Sequence, residues 1–180
     1  MIKKIIFFYW QLVLLKETPE NTPYSLFLMV LSAILLVGVM IGQWTLSNLD
    51  FTKDLGYTAL IAISLVISFV VYTQLILFLK GLSTRLVQTV TCLFWAHIII
   101  HLIAIPLFIL DPYLVQAQVK NPLLLVIGVF YLFITLGLSV WQLVVTAHIY
   151  KYALNTTSIQ SVLAAFGLIA VNVLTVSFWR

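Results

Sequence analysis

Apolar residues in this chain come in long, nearly unbroken runs, separated by short polar connectors. A helix needs about 20 apolar residues to cross the roughly 30 Å hydrocarbon layer of a bilayer. Five runs reach that length, over about Tyr24–Leu46, Tyr57–Leu79, Leu86–Leu110, Pro122–Ala147 and Ile159–Trp179. Each connector carries charge or turn residues, and no stretch is left over to fold as a soluble domain. The pattern predicts an all-α polytopic membrane protein of five transmembrane helices in one integral membrane domain. Pro122 falls in the first turn of the fourth span, where its missing N–H costs nothing. Pro112 should help to end the third span, and Pro106 within it should kink it.

A sixth apolar stretch, Ile5–Leu15, is too short to cross: about eleven residues at 1.5 Å each reach only ~16 Å. Lys3 and Lys4 precede it, and Lys16 and Glu17 follow without a cleavage site of small residues, so it does not read as a signal peptide. It predicts a short interfacial helix over about residues 2–16, with Tyr9 and Trp10 as aromatic anchors. Phe7 shares the face of Lys3, Lys4 and Gln11, so the amphipathicity is imperfect.

Composition agrees. Hydrophobic residues make up 63% of the chain and charged residues 8%, with a mean hydropathy of +1.18. A soluble domain carries about 25% charged residues, and so sparse a set would not cover a globular surface. The net charge of +4 does not indicate nucleic acid, because the basic residues stand singly or in pairs at the ends of apolar runs, where lipid headgroups and topology signals place them. With the N-terminus in the cytoplasm, Lys3, Lys4, Lys16, Lys80, Arg85 and Lys151 fall inside. Lys53, Lys120 and Arg180 fall outside, as does the C-terminus. Trp44, Tyr57, Tyr113, Tyr150, Tyr152 and Trp179 sit near predicted span edges. Cys92, the single cysteine, reads as a small core hydrophobe.

The acids are Glu17, Glu20, Asp50, Asp54 and Asp111, all outside the spans or at their ends. Proton- or sodium-coupled transport ordinarily uses carboxylates near the midplane, and intramembrane aspartyl proteolysis needs two aspartates within spans. Neither arrangement is present. The spans hold uncharged polar residues instead. On the fourth, Gly128, Thr135, Ser139, Gln142 and Thr146 fall within a sector of about 60°. On the fifth, Ser161, Ala165, Asn172 and Thr175 fall within about 80°. Ser64 and Ser68 share a face of the second span, and Gly38 and Gly42 form a small-xxx-small pair on the first. Such stripes read first as helix packing and second as a polar path between spans four and five, and Gly38 and Gly42 also read as a self-association face.

His97 and His101, four apart on the third span, project from one face. They are weak candidates for a metal or haem ligand pair, since no Cys or carboxylate is placed to complete the set. Ser139 and His148 are nine apart, about 180° around the helix, which excludes a hydrolase dyad between them. The Asn155-Thr-Thr sequon lies on the predicted cytoplasmic side, too close to the membrane for glycosylation.

Two stretches carry a resemblance. Arg85-Leu-Val-Gln-Thr-Val-Thr91 opens the third span. Trp141-Gln-Leu-Val-Val-Thr-Ala-His148-Ile-Tyr-Lys-Tyr-Ala-Leu154 closes the fourth. Together they resemble a group of uncharacterised bacterial inner-membrane proteins with five spans, distantly similar to the Yip family. In that group an Arg-x-x-Gln-Thr-x-Thr stretch opens span three, and a Trp…His-Ile-x-(Arg/Lys)-x-Ala-Leu stretch closes span four. The resemblance implies a bacterial inner-membrane location and no catalysis. This chain lacks the long acidic N-terminal region of eukaryotic Yip proteins, so a trafficking role does not carry over.

These readings lead to a first expectation of a non-enzymatic scaffold or partner-binding subunit, without cofactor. Its surroundings are the lipid bilayer, with a membrane-protein partner or a second copy of the chain. Arg85, Gln88, His148 and Lys151 would form a contact surface for that partner or for lipid headgroups. The alternative is a small permease or channel-like protein using the stripe Thr135, Ser139, Gln142, Thr146 and Asn172. A haem or metal protein using His97 and His101 is the lesser alternative.

Overall fold

A computed structural model describes residues 2–47, 54–116 and 122–179. Asp50, Lys53, Lys120 and Arg180 lie outside the described residues. Six α-helices follow one another: α1 (Ile2–Val13), α2 (Leu26–Leu46), α3 (Leu55–Leu79), α4 (Leu86–Gln116), α5 (Pro122–Ala153) and α6 (Ser158–Phe178). Helices α2 to α6 are each long and apolar enough to cross a membrane.

Local chemistry marks the ends. Ser25 accepts from the Leu28 N–H at 3.2 Å. Asp54 Oδ1 accepts from the Gly56 N–H at 2.8 Å and the Tyr57 N–H at 3.2 Å. Thr157 accepts from Gln160 at 3.4 Å. Each satisfies donors that a helix start leaves open. Three helices finish on a residue with positive φ: Leu15 (62°) after α1, Gly81 (69°) after α3 and Asn155 (50°) after α5. In each case the next residue's N–H closes back over the last turn: Lys16 to Gln11, Leu82 to Leu77 and Thr156 to Lys151. Gly and Asn tolerate that conformation, whereas Leu15 pays for it in steric strain.

The five long helices close into a ring, in the order α2, α4, α5, α6, α3 and back to α2; α3 also touches α4, and α1 leans on α4 from outside. From Val87 to Ile100, α4 is buried on almost every side, which is why its sequence shows no polar face there. α4 and α5 measure ~46–48 Å, against ~32 Å for α2 and α6. Towards their far ends α4 and α5 are joined by a Tyr131 hydroxyl bond to Asp111 at 3.2 Å. Phe130 and Phe133 on that hairpin are 65% and 64% exposed.

The structure departs from the sequence reading in four places. Pro112 does not end the third long helix; both Pro106 and Pro112 lie inside α4. A proline removes one N–H, and an apolar segment offers the neighbouring backbone groups no partners better than the helix itself. α5 runs on to Ala153, so His148 and Lys151 are helical. Tyr150 is buried rather than at a rim, its hydroxyl 3.0 Å from that of Thr73. Tyr9 is likewise 1% exposed, stacked on Trp95 with ring centroids 5.1 Å apart; burial raises its phenol above the ordinary value. Trp10 and Phe7 stay on the outer face of α1.

The glycines also sort differently. A Cβ on Gly38 or Gly42 meets nothing within 4 Å, so this pair brings no two helices of the chain together. The close approach is at Gly167, where a Cβ would run into the Tyr72 ring and hydroxyl. Tyr72 is fixed there by a 2.8 Å bond to the Ala164 carbonyl.

Candidate functional site

The predicted cluster at the start of α4 and the end of α5 does come together, but around the chain's own N-terminal connector. Trp141 Nε1 donates to the Val13 carbonyl at 3.1 Å. His148 Nε2 donates to the Glu17 carbonyl at 2.9 Å. Arg85 pairs with Glu20 at 2.9 Å and also donates to the Tyr152 carbonyl at 3.0 Å. Gln88 donates to the Thr22 carbonyl at 2.7 Å, and the Thr22 hydroxyl meets Cys92 Sγ at 2.9 Å.

These contacts fall in order along the helices. Trp141 lies twelve residues before Ala153, His148 five before it, and Arg85 at the foot of α4. The strap from Val13 to Thr22 turns at Leu15 and again in a short 3-10 turn over Pro19–Asn21, and side chains of α4 and α5 supply partners for the carbonyls of Val13, Glu17 and Thr22. Three of the four residues expected to face outward thus hold this strap. Lys151 remains exposed, with its ammonium 6.0 Å from the Tyr152 ring.

The polar stripe leads to a different place. A cavity of about 400 Å³ is lined by all five long helices: Leu36 and Met40 from α2, Phe69 from α3, His97 and His101 from α4, Gln142 from α5 and Asn172 from α6, among others. A second space of about 270 Å³ shares His97, Gln142 and Asn172 and adds Ser139 and Thr146. A third, of about 150 Å³, shares His101 and Gln142 and adds Thr135. The stripe residues Thr135, Ser139, Gln142, Thr146 and Asn172 and the histidine pair therefore line one set of adjoining spaces. His97 and His101 lie eleven and fifteen residues into α4, and Gln142 eleven from the end of α5. The site is thus ~16–22 Å along the bundle from the start of α4, next to Arg85, and the end of α5. Val173, 58% exposed, lines both larger spaces, so they open on the outer surface of the bundle at that level.

Hydrogen bonding decides which polar atoms are free. The hydroxyls of Thr135, Ser139 and Thr146 each donate to the carbonyl four residues back at 2.8 Å. The single Ser68 hydroxyl proton is shared between the Leu65 carbonyl at 2.7 Å and Asn172 Oδ1 at 3.2 Å, and Asn172 also lines the cavity. His97 Nδ1 sits 2.8 Å from the Leu93 carbonyl, and His101 Nδ1 sits 2.7 Å from Gln43 Oε1. Gln43 also donates through Nε2 to the His101 backbone carbonyl, which fixes its oxygen towards the imidazole. Carbonyl oxygens only accept, so both histidines donate from Nδ1 and keep a lone pair on Nε2. The His97 ring is held edge-on by Phe69, with centroids 4.7 Å apart.

Gln43, the residue that orients His101, was missed by the sequence reading. The available signal was a lone amide late in an otherwise apolar span. Among the described residues, no group of three His, Cys, Asp or Glu side chains converges as a metal-holding set. The fold and site define a five-helix apolar bundle with an uncharged polar cavity at mid-length. No family model, curated protein or solved structure matches the chain.

Proposed function

We propose that this is a multi-pass membrane protein that binds a small amphipathic molecule within the bilayer, as a permease-like protein would. Its place in this reading is the bacterial inner membrane, with the N-terminus cytoplasmic and the C-terminus outside. The observation that carries it is the convergence of the polar stripe and the histidine pair on one cavity with a lateral opening. Polar groups in an apolar bundle are expensive unless they serve packing or a ligand. Here the Gln142 amide and both imidazole Nε2 atoms are left to the cavity, and the Asn172 amide borders it while touching Ser68 of α3. An alcohol-sized head among these groups, with an apolar body against Leu36, Phe69 and Val173, matches the lining.

The scaffold reading has less support, because Arg85, Gln88 and His148 direct their hydrogen bonds into the N-terminal strap. In the proposed reading the two Yip-like motifs serve to clasp that strap.

The test is equilibrium binding of 1-naphthol, read by its fluorescence, to the protein in lipid nanodiscs against empty discs. Saturable binding is expected, and Val173→Trp should abolish it by closing the mouth. Partitioning equal to that of empty discs, with no saturable component, would refute the reading.

A further inference from the structure

The hydrogen-bonding polarity of the cavity narrows its ligand. An uncharged imidazole carries one N–H. In His97 that N–H is used on the Leu93 carbonyl, and in His101 on Gln43 Oε1, at 2.8 Å and 2.7 Å. His97 is 5% exposed, and its ring cannot turn over without losing the Leu93 bond and the edge contact with Phe69. The two rings lie one helical turn apart, their centroids separated by 6.3 Å. No carboxylate lines any of the three spaces, so nothing there would pair an imidazolium. Both Nε2 atoms are therefore fixed acceptors, and a buried acceptor without a donor is costly.

Resting on the binding reading above, we propose that the cavity takes a neutral ligand that donates a hydrogen bond, an aromatic or alicyclic alcohol, to Nε2 of His97 or His101. A ligand bearing only acceptors, such as an ether or a ketone, would find only the amide donors of Gln142 and Asn172 and would leave both imidazoles unmatched. A cation would meet no counter-charge.

The experiment compares 1-naphthol with 1-methoxynaphthalene, nearly the same body without the donor. Both are titrated into the protein in nanodiscs and corrected for partitioning into empty discs. Naphthol should bind about tenfold more tightly, as one buried hydrogen bond predicts. His101→Phe should reduce that preference, and His97→Phe should reduce it independently should either variant fail to fold. Saturable binding of both compounds with equal affinity would overturn the donor inference and leave the binding reading standing. Tighter binding of the ether would overturn it as well. Absence of saturable binding for either compound would overturn the binding reading, and this inference with it.

Discussion

The contact between Gln43 and His101 joins the architecture of the bundle to the chemistry of its cavity, and it can be weighed by a double-mutant cycle. Gln43 is 2% exposed and makes two bonds to one residue, to its Nδ1 and to its backbone carbonyl. Gln43→Leu keeps the approximate volume and removes both. It leaves the imidazole N–H unmatched in an apolar site, a loss of about 1–3 kcal/mol. His101→Phe removes the imidazole bond alone and strands Gln43 Oε1. In the double variant neither group is left without its partner, so the two losses should not add. Interhelical side-chain bonds in membrane proteins average about 0.6 kcal/mol and reach about 1.7; the coupling here should fall in that range, towards the top because Gln43 is buried. Reversible unfolding in mixed detergent micelles, followed by circular dichroism, gives all four stabilities. Independent sites add within about 0.3–0.5 kcal/mol. Coupling below that limit would show that the bond does not order His101 and that its Nε2 is not held as a fixed acceptor.

Three further outcomes follow from particular contacts. Gly167→Ala should destabilise by about 1–3 kcal/mol, because the new methyl must displace a Tyr72 side chain anchored on Ala164; Tyr72→Phe in the same background should recover part of the loss, and unchanged unfolding of Gly167→Ala would be the contrary result. Leu15→Gly should stabilise by up to about 1 kcal/mol in the same assay by relieving the left-handed backbone, whereas Gly38→Ala, with nothing near its Cβ, should be neutral or slightly favourable. Of the strap contacts, Arg85→Ala should cost less than Gln88→Leu: the Arg85–Glu20 pair is 34% and 53% exposed at its side chains and worth about 0–1 kcal/mol, while Gln88→Leu leaves a part-buried carbonyl without its donor. Limited proteolysis after Lys16 would rank the two, and equal protection would refute the ordering.

The number of long helices, their approximate limits and the stripe on α5 were all legible in the sequence. Each depends on a property that accumulates along one segment: apolar length, or an angular period of 100° per residue. Pairing across segments was not legible. His97 and His101 could be placed on one face of one helix. The facing Gln142 and Asn172, and the Gln43 that sets the imidazole, depended on which helices became neighbours. In an apolar bundle that choice rests on close shape matching, such as Gly167 against Tyr72, and leaves little trace in residue type. The same limit explains the strap. Arg85, Gln88 and His148 could be assigned to one end of the bundle from their positions alone. Only the three-dimensional path of residues 13–22, which brings the carbonyls of Glu17 and Thr22 and the Glu20 carboxylate within reach, determined that these side chains turn inward.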